Sequence, residues 1–149
     1  MSHIDLMELV RDKIKDLKAY QVENLDECTK LHANENPYPP SPELLNKIFQ
    51  RLDELELNRY PDPDCRNLKK TIANRTGALT EQIIIGNGSD ELIQYLMQVL
   101  CDAEETIAFP DPTFAMYGIT AQCLGLSPVS FSLNDNWDFE ASYALKMLA

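Results

Sequence analysis

Positive charge is scarce in this sequence: 13 lysines and arginines stand against 24 aspartates and glutamates, for a net −11 over 149 residues. The cations are scattered, so there is no basic face to neutralise phosphates and nucleic-acid binding is not expected. Histidine is scarcer still. His3 and His32 are the only two, and the four cysteines, Cys28, Cys65, Cys101 and Cys123, form no CxxC pair. Zinc has no ligand set here, and no metal site is expected. A secretory leader is also lacking, so the four thiols are expected to be reduced and mostly buried in a cytoplasmic protein. No apolar run approaches the roughly 20 residues that span a bilayer. Internal repeats and low-complexity tracts are missing too.

What is present is a globular composition, 44% hydrophobic and 25% charged. A compact domain of this length buries about 68–70% of its unfolded surface, enough for a core. The start, HIDLMELVRDKIKDL, spaces Ile4, Leu6, Leu9, Val10, Ile14 and Leu17 as a short amphipathic helix. Residues 18–40 are polar and proline-rich, and with the helix they form an amino-terminal arm that ends at residue 40. Ser41 then caps a helix with Pro42 in its first turn, running through ELLNKIFQRLDEL. A second helix is predicted from Cys65 to Thr76, with Gly77 as its stop.

From residue 78 onward strands and helices alternate. LTEQIIIG leads into a buried strand, SDELIQYLMQVLC is an apolar-rich helix, and ETIAFP is a second strand. FAMYGITAQCLG is another helix, and SPVSFSL a third strand. This alternation predicts an α/β fold with parallel strands and crossover helices. DFEASYALKMLA opens a further helix without a cap or a polar tail, so residues 41–149 are expected to be the first part of a larger domain.

The stretch IIIGNGSDEL poses the functional question. It lacks the third glycine of a dinucleotide fingerprint and the Gly-Lys-Ser/Thr of a P-loop. Two readings stand. Ser89 caps the helix, with Asp90 and Glu91 favourably placed in its first turn. Alternatively, the glycines bring free backbone N–H groups close to an anion at the C-terminal end of the sheet, where open α/β sheets bind ligands. An anion there gains about 0.3–1 kcal/mol, and up to ~2 when partly buried. DPTFAMY, after the second strand, places Phe114 and Tyr117 where a flat ring would stack, although core packing explains Tyr117. NRYPDPD offers the Tyr60 hydroxyl beside Arg59.

Four stretches in order, LHANENPYPPSPELL, NRYPDPDCRNLKKTIA, IIIGNGSDELI and FPDPTFAMYGITAQCLG, resemble the fold-type I pyridoxal-phosphate-dependent aminotransferases. NENP with GNGSDE is most similar to the histidinol-phosphate aminotransferase branch. The resemblance implies an aspartate-aminotransferase-like large domain, pyridoxal 5′-phosphate as cofactor, and amino transfer between L-histidinol phosphate and 2-oxoglutarate. It places Gly88, Ser89 and Asp90 at the cofactor phosphate and Phe114 on the pyridine ring. It makes Tyr60 the tyrosine that reaches the partner's cofactor in a homodimer. Asn34, Glu35 and Asn36, with Tyr38 near, match the segment that covers the substrate.

One departure matters. The family's chemistry needs a lysine that holds the cofactor covalently and shuttles a proton. None of the eight lysines sits in the required strand-end context, and Lys146 falls in an apolar helical run. No catalytic residue is therefore assigned in this chain, and that lysine is expected downstream. Two alternatives remain: a sister enzyme (an aromatic-amino-acid aminotransferase or a threonine-phosphate decarboxylase), or a catalytically dead binding or dimerisation module.

Overall fold

The computed structural model describes residues 5–18, 20–21 and 29–147; Ile4 of the predicted first helix and Cys28 lie outside them. The chain divides into two compact units, one of residues 1–20 with 84–149 and one of residues 21–83.

In the second unit, α2 (Pro42–Leu52) begins as predicted: the Ser41 hydroxyl accepts the Leu44 N–H at 3.2 Å, and Pro42 occupies the first turn. The helix ends at Leu52, short of the predicted Leu55. α3 (Arg66–Thr76) stops at Gly77, in a left-handed conformation with φ 77°. Its N-cap, Cys65, makes no side-chain cap bond. Asp62 does the capping from three residues further back, accepting from the Arg66 backbone N–H at 3.0 Å and from Arg66 Nε at 3.1 Å. These bonds hold the Asp62 carboxyl down at about 2.

The first unit is built on β1 (Thr106–Asp111) and β2 (Ser127–Ser132), joined by α5 (Met116–Leu124). The strands pair in parallel, in a register that sets Thr106 against Ser127 and Asp111 against Ser132. A parallel pair needs a crossover, and α5 supplies it. Because side chains alternate along a strand, Ile107 and Phe109 share one face while Val129 and Phe131 share the other. On the first face Phe109 stacks on Tyr117 of α5, with ring centroids 6.4 Å apart. On the second, Phe131 meets Phe139 and Tyr143 at 5.4 and 6.3 Å, which brings in α6 (Ala141–Met147). Helices thus cover both faces, as parallel sheets require. The core joins α4 (Gly88–Leu100) to α5 through Met97, Ala121 and Leu126, with Ile93, Cys101, Ile107, Tyr117 and Leu124 packed around them.

Several expectations change. The predicted first helix is two short pieces, a 3-10 turn at Leu6–Leu9 and α1 (Asp12–Lys15), because Val10 and Arg11 are extended. A helix this short is marginal on its own, and tertiary bonds set its path: the Arg11 guanidinium donates to the Cys123 carbonyl, and Lys13 lies 3.5 Å from Glu104. Ile83–Ile85 form no strand. Ile83 has extended dihedrals (φ −111°, ψ 123°), but among the described residues nothing pairs with it, and a strand exists only in a ladder. The sheet accordingly has two strands rather than three. Cys65, Cys101 and Cys123 are free thiols, half-buried instead of buried. Among the described residues no helix is long and apolar enough to cross a membrane, and no group of side chains is arranged to hold a metal ion.

Candidate functional site

The glycine turn enters α4 from an extended segment, and its caps differ from those predicted. The N-cap is Asn87 (φ −83°, ψ 78°), two residues before Ser89. Ser89 is not the cap because Gly88, at φ +80°, turns the chain into the helix ahead of it. A Cβ at Gly88 would meet nothing within 4 Å, so the glycine is required by its backbone angle alone. Gly86 is closely approached instead: a Cβ there would lie 2.8 Å from Leu92 Cδ2 and 3.1 Å from Glu91 Oε2, so those two side chains would have to shift to admit it.

A helix start leaves four backbone N–H groups to satisfy. An Asn N-cap usually accepts from the second or third of them with its side chain. Asn87 makes no such bond. Instead Glu91 folds back: its Oε2 accepts the Asn87 N–H, and its Oε1 accepts the Tyr95 hydroxyl at 2.6 Å. The Tyr95 hydroxyl first and the Asn87 N–H second hold the Glu91 carboxyl below its ordinary range. The same bond to Glu91 raises the Tyr95 phenol. Gly88 N–H reaches the Gly86 carbonyl at 3.1 Å. The N–H groups of Ser89 and Asp90 find no acceptor among the described residues. Two adjacent free donors at the positive end of a 13-residue helix fit an oxyanion such as a phosphate.

Phe114 lies in the same compact unit, just past β1. It is exposed and stands edge-on to Tyr20 and Tyr117, at 6.1 and 6.3 Å. Tyr117 itself packs on the core, as the simpler reading held. No hydrogen bond joins Phe114 to the turn among the described residues. Tyr60, Asn34, Glu35 and Asn36 belong to the other unit. Tyr60 is fully exposed on its loop. Asn34 is left-handed at φ 52°, and Asn36 Oδ1 accepts the Tyr38 N–H at 3.0 Å, closing a local turn. Lys146 is an exposed residue of the last turn of α6. Sequence reasoning missed the Glu91–Tyr95 pair, although the spacing Asn87, Glu91, Tyr95 (each four residues apart on one helical face) was there to be read.

Parallel strands with a crossover helix, and a helix start with open donors, define an α/β protein suited to hold an anionic group. The chain belongs to the aminotransferase class I and II family, which matches residues 26–146. It is 34% identical over 140 residues to a histidinol-phosphate aminotransferase of Aquifex aeolicus, covering 94% of this chain and 40% of that one. Histidinol-phosphate aminotransferase 2 of Nitrosococcus oceani is 38% identical over 141 residues, 93% of this chain and 39% of its own. The chain therefore spans about 40% of the length of these curated relatives. Among solved structures, the histidinol-phosphate aminotransferase of Sinorhizobium meliloti in complex with pyridoxal-5′-phosphate superposes with a TM-score of 0.63 at 24% identity, over 70% of this chain and 28% of that one. A putative aminotransferase of Burkholderia pseudomallei gives 0.58 at 19%, over 74% and 33%. The fold is an incomplete aminotransferase-like domain, and the family supports a pyridoxal-phosphate-dependent transferase.

Proposed function

We propose that this chain supplies the cofactor-phosphate side of a cytoplasmic histidinol-phosphate aminotransferase, which moves an amino group between L-histidinol phosphate and 2-oxoglutarate. The observation that carries the reading is the pair of N–H groups at Ser89 and Asp90 that find no acceptor among the described residues, on a helix whose N-cap side chain makes no cap bond. Relatives bearing that activity support the choice of reaction.

In this reading Ser89 and Asp90 donate to the phosphate of pyridoxal 5′-phosphate, and Gly88 lets the backbone approach it. Phe114 lies against the ring. It stacks but offers no hydrogen bond, so orientation in the ring plane falls to other groups. Tyr60, fully exposed on its loop, reaches the cofactor phosphate of a second copy in a homodimer. Asn34, Glu35 and Asn36 cover the substrate, with the Asn36–Tyr38 turn setting their path. When bound, the cofactor supplies the electron sink for amino transfer. The covalent lysine is expected outside residues 1–149.

The test is amino transfer by the full gene product, with L-histidinol phosphate, phenylalanine and threonine phosphate compared as substrates. Preference for L-histidinol phosphate with 2-oxoglutarate supports the reading. Preference for an aromatic amino acid, or decarboxylation of threonine phosphate, assigns a sister activity. No turnover on any of them, with phosphate binding retained, identifies a binding module.

A further inference from the structure

We infer that Glu91 and Tyr95 form a brace that keeps the Ser89 and Asp90 donors open for the cofactor phosphate, an inference that rests on the function proposed above. In the common capping box, the N-cap side chain covers one early N–H while a glutamate of the first turn covers the N-cap N–H. Only the second half exists here. Glu91 covers the Asn87 N–H, and the Asn87 side chain makes no cap bond. The helix is thereby capped on one side, with two donors left over.

The pair is held from both ends. Tyr95, one turn further along α4, donates to the second carboxylate oxygen at 2.6 Å, which fixes the rotamer of Glu91. Gly86 leaves the space into which Glu91 and Leu92 fold, since a Cβ there would come within 3.1 Å of Glu91 Oε2. Without Glu91, the Asn87 N–H loses its partner and the turn is free to rearrange. Asn87 is among the strongest N-cap residues, and its side chain would then settle on the Ser89 or Asp90 N–H in competition with phosphate. Glu91 and Tyr95 are positioning residues in this scheme.

The brace and plain electrostatics make opposite predictions. A carboxylate beside an anion site repels the anion, so as a bare charge Glu91 weakens phosphate binding and its removal tightens it. As a brace, Glu91 strengthens binding. Backbone amide resonances of the full chain, titrated with inorganic phosphate, separate the two. In the wild type the Ser89 and Asp90 amides are expected to shift as phosphate is added. Glu91→Ala should weaken phosphate about three- to tenfold, in line with one lost hydrogen bond. Glu91→Gln drops the charge but keeps one oxygen to accept the Asn87 N–H, while its amide N–H donates to the Tyr95 oxygen in place of the second acceptor, and it should bind at least as tightly as the wild type. Tyr95→Phe, nearly isosteric and expected to fold, should move the Asn87 amide resonance and weaken phosphate about twofold to threefold. Tighter binding by Glu91→Ala, or an Asn87 amide that ignores it, overturns the brace. Equal response in the wild type and Glu91→Ala overturns the brace alone, whereas wild-type amides that ignore phosphate overturn the phosphate reading and the brace with it.

Discussion

Replacing Gly88 with alanine isolates the backbone geometry of the phosphate turn from its packing. Gly88 sits at φ +80°, and an added Cβ meets no atom within 4 Å. The cost is therefore local: about 1–2 kcal/mol for a left-handed alanine, offset by roughly 0.4–1 kcal/mol from the stiffer unfolded chain. The net loss is about 1 kcal/mol, or ~2–4 °C in Tm for a chain near this size. If alanine instead relaxes the turn to negative φ, the Ser89 and Asp90 N–H groups swing away from their common direction. Losing a helix-terminus contact of about 0.3–2 kcal/mol weakens phosphate roughly two- to thirtyfold. Gly77→Ala is the control, because Gly77 has φ +77° and equally open space at the end of a different helix. Urea unfolding and phosphate titration on both variants make the assay. The two should lose similar stability, and only Gly88→Ala should lose phosphate affinity; Gly88→Asn should recover part of the stability, since asparagine tolerates this region. Equal phosphate affinity in the two alanine variants would refute the placement of the anion at this turn.

Other consequences are more local. Ser41→Ala removes the cap on the Leu44 N–H and should lower the stability of the second unit by about 1 kcal/mol, measured by urea unfolding. The folded Asp62 carboxyl, near 2, lies below its ordinary 3.8, so its contribution is complete above about 3.8 and disappears as pH falls through 2. In Arg66→Ala the NMR midpoint of Asp62 should rise back towards 3.8, and a midpoint that stays near 2 would deny Arg66 its role. Leu92, Tyr95, Leu96, Val99 and Leu100 of α4, with Ile84, line an apolar cavity of about 230 Å³. Val99 and Leu100 are 80% and 72% exposed there, and the chain is expected to self-associate. Val99→Ser with Leu100→Ser should reduce light scattering while leaving circular dichroism unchanged.

Where local chemistry decides, the sequence was legible. Ser41 followed by Pro42 announced the start of α2, Gly77 the end of α3, and Gly125 the end of α5. The alternation after residue 100 gave β1, α5 and β2, because strand length, glycine stops and apolar content are all written within ten residues. The three isoleucines misled. Their composition is that of a buried strand, yet Ile84 is 64% exposed and unpaired among the described residues. β-propensity measures fit to a neighbour that the segment alone does not provide.

The site divides in the same way. Sequence alone determined that glycines flank Asn87, that a helix follows, and that the ordered motifs resemble one family, since each depends on residue type and spacing along the chain. The tertiary structure decided which side chain takes which donor: Glu91 over the Asn87 N–H and, among the described residues, none over Ser89 and Asp90. Several groups compete to cap a helix start at nearly equal free energy, and only the folded geometry, with Tyr95 and the space above Gly86, selects among them.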